Sequence, residues 1–209
     1  MDKKKQLKPN RHDNKTDYQK TIKSFIAETI KLDIHSEDEL EKICTAFTTP
    51  GFGNENGIED YDRLEFYGDA VIKYIVCKDL FEQYPTMTHG NMTFIAEHLY
   101  SNKTYPECLF KNNINLIPII RVGNSFWNLP SNQKNDTLFS IVGDCFEALI
   151  GALDNTGNYD CAEQLVKKII DGEMKTVVDY MTVNKIQKLE PNTLNERGNK
   201  LKNNFISRL

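Results

Sequence analysis

Two groups of carboxylates stand at spacings that a helix would turn toward one side. In Tyr61-Asp-Arg-Leu-Glu-Phe-Tyr-Gly-Asp-Ala70 the acids Asp62, Glu65 and Asp69 fall at i, i+3 and i+7, which share a face of an α-helix. In Gly143-Asp-Cys-Phe-Glu-Ala-Leu-Ile-Gly-Ala152, Asp144 and Glu147 fall at i and i+3 among apolar and small residues. Like charges at this spacing repel, and a buried carboxylate without a partner is costly. A compensating cation is therefore expected. Arg63 and Lys73 are near in sequence, but simple helical spacing puts neither on the shared face. The remaining candidate is a bound metal. An all-oxygen donor set suits Mg²⁺, with Mn²⁺ able to substitute, and does not suit Zn²⁺. Two helices that each present a carboxylate pair could hold two ions about 3.5–4 Å apart, an arrangement that activates water and stabilises a leaving oxygen in phosphodiester hydrolysis.

Other acids read differently. Glu37, Asp38, Glu39 and Glu41 form a run expected to be a solvated helix face. His89 and His98 are isolated and read as structural.

The acids need helices to position them. Ile22, Phe25, Ile26 and Ile30 predict a helix over Tyr18–Leu32. A second is expected from Ser36 to about Phe47, with Ser36 as N-cap and Glu39 completing a capping box. Thr49–Gly57, rich in Gly, Asn and Pro, reads as a loop. Leu64, Val71, Ile72, Ile75 and Leu80 keep helical period through the segment Glu59–Tyr84, which Pro85 ends. Helices are expected over Thr88–Asn102 and Thr104–Asn113, with Asn115–Asn135 loop-like. Asp136–Leu153 is apolar nearly all round, as a central helix would be, and Tyr159–Met181 is amphipathic. No alternating strand pattern appears, so the fold is read as all-α. The expected organisation is a flexible basic N-terminus over 1–17, a catalytic domain over 18–183, and a basic, Asn-rich C-terminal tail or short helical extension over 184–209.

Composition bounds the partners. The chain has 209 residues, 39% of them hydrophobic, with a net charge of −4, enough apolar content for a sizeable core. No apolar run approaches the ~20 residues that span a bilayer, and MDKKKQLKPNRHDNK lacks an apolar signal region; no membrane association is expected. The five cysteines are scattered and never in a CxxC pair, which reads as reduced, zinc-free and intracellular, whether cytoplasmic or nuclear. An acidic total argues at face value against nucleic acid. The charge is segregated, however: residues 1–31 carry net +5, residues 32–70 net −9 and residues 171–209 net +2. The acidity coincides in part with the first carboxylate group, and the basic ends are where phosphate contacts are expected.

At these residues the chain resembles the ribonuclease III family, endonucleases that cut double-stranded RNA. Arg63-Leu-Glu-Phe-Tyr-Gly-Asp-Ala-Val71 is similar to the family's signature segment, with Tyr67 where a Leu is usual. Ser140-Ile-Val-Gly-Asp-Cys-Phe-Glu-Ala-Leu-Ile-Gly-Ala152 resembles its second acidic motif, and Ala46-Phe-Thr-Thr-Pro50 an upstream AFTHP segment with Thr49 in place of His. The resemblance implies that Glu65, Asp69, Asp144 and Glu147 are catalytic, metal-binding carboxylates, with Asp62 an accessory acid. It implies that Phe66 packs across a dimer interface; from the sequence alone an ordinary core Phe is an equal reading. It also implies a homodimer that cleaves duplex RNA with Mg²⁺, leaving 5′-phosphate, 3′-hydroxyl and short 3′ overhangs.

The departures are specific. Ala96 stands where the family usually has a basic residue, and Ser140 where Dicer-type domains often have Lys. The segment after about residue 181 is too short for the double-stranded-RNA-binding domain that usually follows. RNA binding is expected to be weak and salt-sensitive, relying on dimerisation or on an RNA-binding partner protein. The processing role is open between ribosomal-RNA maturation and Dicer-like production of small RNAs. Two other readings stand beside this one: a non-catalytic RNA-binding or ribosome-associated protein on the same fold, and an unrelated all-α Mg²⁺ enzyme acting on diphosphates or nucleotides.

Overall fold

The computed structural model describes Pro9, residues 14–184 and residues 191–209. Apart from Pro9 and residues 14–17, the N-terminal stretch expected to be flexible lies outside them, as do residues 185–190 of the tail. The described chain is all-α. Helix α1 covers Lys15–Phe25, capped by the Asn14 side chain and extended by a wider turn over Ile26–Ile30. It is followed by α2 (Glu37–Ala46), α3 (Pro50–Asn56), α4 (Asp62–Gln83), α5 (His89–Leu99) and α6 (Tyr105–Lys111). A 3₁₀ turn over Ile117–Ile119 leads to the short α7 (Asn124–Trp127), then α8 (Ser131–Asn155), α9 (Tyr159–Val183) and α10 (Pro191–Ile206). Among the described residues the only β pairing is an isolated bridge between Thr48 and Arg121.

Local chemistry explains the boundaries. Ser36 Oγ accepts the Glu39 N–H at 3.1 Å and starts α2. The segment Thr49–Gly57 is not the loop its composition suggests, because its turn-forming residues sit at helix-end positions. Thr49 caps the Phe52 N–H, Pro50 occupies the first turn where its missing N–H costs nothing, and Gly57 closes α3 at φ 64°. Glu39 is buried rather than part of a solvated face. Its carboxylate accepts the His35 N–H at 2.9 Å and the Asn158 side-chain N–H at 2.8 Å.

Helix α8 is the centre of the fold, buried almost continuously from Leu138 to Leu153. Its most extensive packing is against α4, with α2, α6, α9 and α10 on its other sides. The α4–α8 crossing is made by glycine. A methyl group at Gly68 would overlap the Glu147 carbonyl and come within 2.8 Å of the Gly151 nitrogen; one at Gly151 would overlap the Leu64 carbonyl. The two backbones therefore touch, closer than larger side chains would allow.

Helix α10 lies against α5, α6 and α8. Phe205 inserts edge-on between Phe110 and Phe139, with centroids 5.2 and 5.3 Å away. Arg197 makes a two-point ion pair with buried Glu173, which also meets the His98 ring at 2.8 Å. This pairing offsets the cost of burying Glu173 and holds its carboxyl down at about 2 despite burial. His98 thus joins α5, α9 and α10 as a structural residue.

Candidate metal centre

The glycine crossing brings the two carboxylate groups face to face. Oxygens of Glu65 on α4 and of Asp144 and Glu147 on α8 lie within 4.8 Å of one another. No His or Cys joins this group, and no described Lys or Arg forms an ion pair with any of its three members. Glu147 is 4% exposed; Glu65 and Asp144 are half-buried. Such a group would drive itself apart were all three ionised and alone.

The electrostatics record that conflict. Burial, then the charges of Asp69, Asp144 and Glu65, push the Glu147 carboxyl up to about 8. Burial, then Asp144, Asp62 and Asp69, push Glu65 up to about 7. Asp144 is also raised, chiefly by burial, against two hydrogen bonds that favour its ionised form. Asn102 donates to its Oδ1 at 2.9 Å, and the Tyr61 hydroxyl donates to its Oδ2 at 3.2 Å. These bonds fix the Asp144 carboxylate and leave its remaining lone pairs available.

Asp69 does not belong to the three-carboxylate group, although its charge acts on Glu147 and Glu65. It accepts a bond from Lys73 Nζ at 2.6 Å, and the same ammonium lies 5.4 Å from the centre of the Tyr100 ring. Lys73 is thus a neutraliser on the acidic face, contrary to the expectation that it lies off it. It follows Asp69 by four residues, one full turn, and that spacing is what brings the two together. Asp62 is exposed at the first turn of α4; its N–H donates to Asp60 at 3.1 Å, and it stands apart from the group. Phe66 is 83% exposed, which removes the core reading of that side chain.

Lys73 was recoverable from spacing alone. Tyr61 and Asn102 were not: they are remote from Asp144 in sequence and reach it from just before α4 and just after α5 only once the chain has folded.

A donor set of oxygens only, negative in sum and crowded enough to raise its own proton affinity, fits a hard divalent cation such as Mg²⁺ or Mn²⁺.

Comparison with known proteins agrees with this geometry. Residues 62–155, which run from the start of α4 to the end of α8, match the family model described as the ribonuclease III domain. The chain is 29% identical over 167 residues to Ribonuclease 3 of Carboxydothermus hydrogenoformans, covering 78% of this chain and 67% of that protein. It is 32% identical over 145 residues to Ribonuclease 3 of Staphylococcus saprophyticus, covering 66% and 57%, and 28% identical over 200 residues to that of Bacillus velezensis, covering 88% and 78%. The chain therefore spans just over half to about three quarters of the length of these relatives. The fold is shared with the nuclease domain of ribonuclease III from Campylobacter jejuni, at a TM-score of 0.54 and 19% identity, over 71% of this chain and 95% of that one. With both acidic motifs inside the matched segment and their carboxylates meeting across the α4–α8 crossing, the chain belongs to the ribonuclease III family.

Proposed function

We propose that this chain is a Mg²⁺-dependent endoribonuclease that cuts double-stranded RNA as a homodimer. The observation that carries the reading is the convergence of Glu65, Asp144 and Glu147 from two helices, with no ion pair to any of them among the described residues. In this reading they hold the metal, and Asp69 serves as a further ligand or orienting group. Bound Mg²⁺ would supply positive charge to the phosphodiester and its leaving oxygen and would make water a stronger nucleophile. The chain's own residues prepare the site. Asn102 and Tyr61 hold Asp144 in one orientation, Lys73 holds Asp69, and Glu147, whose carboxyl is raised to about 8, would give up its proton on holding a cation. In the overall reaction the water oxygen bonds to phosphorus and the bond to the 3′ oxygen breaks. The products carry a 5′-phosphate and a 3′-hydroxyl.

A second copy fits the outer face of α4. Phe66, Tyr74 and Phe81 are 83%, 59% and 71% exposed, and with Ala70 and Cys77 they lie along one side of the helix. An apolar stripe of that length on the helix that carries Glu65 supports a self-complementary dimer contact. Paired sites could then each cut one strand of an A-form duplex recognised by shape and backbone, leaving short 3′ overhangs. An intracellular site of action is in keeping with five free cysteines.

The test is incubation of end-labelled duplex RNA, single-stranded RNA and duplex DNA with Mg²⁺ or with chelator. Cleavage confined to duplex RNA with Mg²⁺ is expected. Glu147→Gln should lower it by about 10³-fold or more with an unchanged circular-dichroism spectrum. Full cleavage by that variant would sink the metal assignment, and duplex binding without cleavage by the unaltered chain would favour a non-catalytic member. Product length distinguishes a measuring, Dicer-like enzyme from one of ribosomal-RNA maturation.

A further inference from the structure

We propose that the cavity between α1, α2 and α3 is a binding site for a small aromatic phosphate, of the nucleoside monophosphate class, with its phosphate on Arg121. The cavity has a volume of about 510 Å³, within the range of small-molecule sites. Arg121 lines it and is only 7% exposed. Its Nε and Nη2 donate to the Thr48 hydroxyl, and Nη2 also reaches the Cys44 carbonyl at 3.4 Å. Its guanidinium lies 4.1 Å from the Tyr18 ring centre and 5.1 Å from that of Phe52. These partners are neutral. Among the described residues no carboxylate pairs with Arg121, although every other described arginine in an ion pair meets a glutamate. Buried charges are ordinarily paired. The Thr48 and Cys44 bonds engage Nε and Nη2, and the Tyr18 side chain also hydrogen-bonds the guanidinium, so each of these partners is uncharged.

The rest of the cavity suits the remainder of such a ligand. Lys15 stands at the mouth, its one ion pair among the described residues an exposed 3.5 Å contact with Glu41, an interaction weak enough to exchange for a phosphate. Phe52 and the 43% exposed Ile58 provide an apolar wall for a planar ring. Glu59, exposed and without an ion pair among the described residues, offers an acceptor for ribose hydroxyls or an exocyclic amine. This site is separate from the carboxylate group, so it stands or falls independently of nuclease activity.

The experiment is isothermal titration calorimetry of the full chain with AMP, inorganic phosphate and adenosine. It is run in chelator so that no divalent ion at the carboxylates can recruit phosphate. One AMP per chain is expected, with phosphate alone binding more weakly and adenosine not at all. Ile58→Glu, which places a negative charge on an exposed position at the mouth, and Arg121→Gln should each weaken AMP at least tenfold. Because Arg121 also supports Thr48, its variant is scored only if its melting transition stays cooperative; Ile58→Glu carries the test otherwise. Absence of AMP binding by the unaltered chain, equal binding by adenosine, or unchanged affinity in Ile58→Glu would overturn the proposal.

Discussion

Glu147 ties the stability of the fold to pH and, in the function proposed above, to metal. In the metal-free protein its carboxyl titrates near 8 and that of Glu65 near 7, both above the ordinary glutamate value of 4.5. The folded chain therefore keeps protons that the unfolded chain releases. That contribution to stability is complete below the ordinary value and is lost as pH rises through about 7 and then about 8. Metal-free melting temperature should fall from about pH 5 to about pH 9, and Mg²⁺ should restore it most at the alkaline end, where the carboxylates are free to bind it. Glu147→Gln, neutral at every pH, should remove the part of the metal-free fall near pH 8 and leave the part near 7 that Glu65 contributes; scanning fluorimetry across pH, with and without Mg²⁺, reads this. A metal-free profile with no pH dependence would refute the account. At this scale the acids were legible, because Asp144 and Glu147 stand in an otherwise apolar run where an ionised group has no reason to be. The hydrogen bonds that orient Asp144 were illegible, because Tyr61 and Asn102 are related to it by packing and by no spacing rule.

Helices α4 and α8 owe their separation to two glycines. A glycine inside a helix costs about 1 kcal/mol against alanine, so its presence at both 68 and 151 needs a compensating contact, and the touching backbones supply it. Gly68→Ala should destabilise by about 3 kcal/mol and weaken Mg²⁺ binding, since relief requires the helices to part and the carboxylates to separate. Gly172→Ala, in α9 with nothing within 4 Å of the added carbon, should instead be neutral or stabilise by up to about 1 kcal/mol. Chemical denaturation of the two variants checks the contrast; equal effects would show that the crossing tolerates a side chain. The long helices were readable because their apolar period survives over many turns. Helix α3 was not, because Thr, Pro and Gly serve equally at loop positions and at the ends of a short helix, and only the tertiary contacts decide.

At the scale of the whole molecule, the exposed aromatic stripe and the site occupy the same helix. Glu65 projects toward α8 while Phe66, the next residue, projects to solvent. Phe66→Asp should therefore leave the melting temperature of the monomeric fold nearly unchanged and abolish self-association in sedimentation velocity. Cleavage of both strands of a duplex should drop by roughly tenfold or more. A Phe66→Asp protein that sediments as the unaltered chain does would place any dimer contact elsewhere. The net charge of −4 was a poor guide to partners because it averages over a chain whose acids gather in one stretch.

Because Gly68 and Gly151 bring main chain against main chain, the spacing between the two carboxylate-bearing helices is inherited from the scaffold and does not depend on the acids that decorate it. Descent could therefore erase the carboxylates one at a time and leave a sound fold behind. The glycines could not be lost so freely. A relative stripped of its chemistry would still be recognisable by that pair of glycines, and restoring acids to it would rebuild a site already the right size.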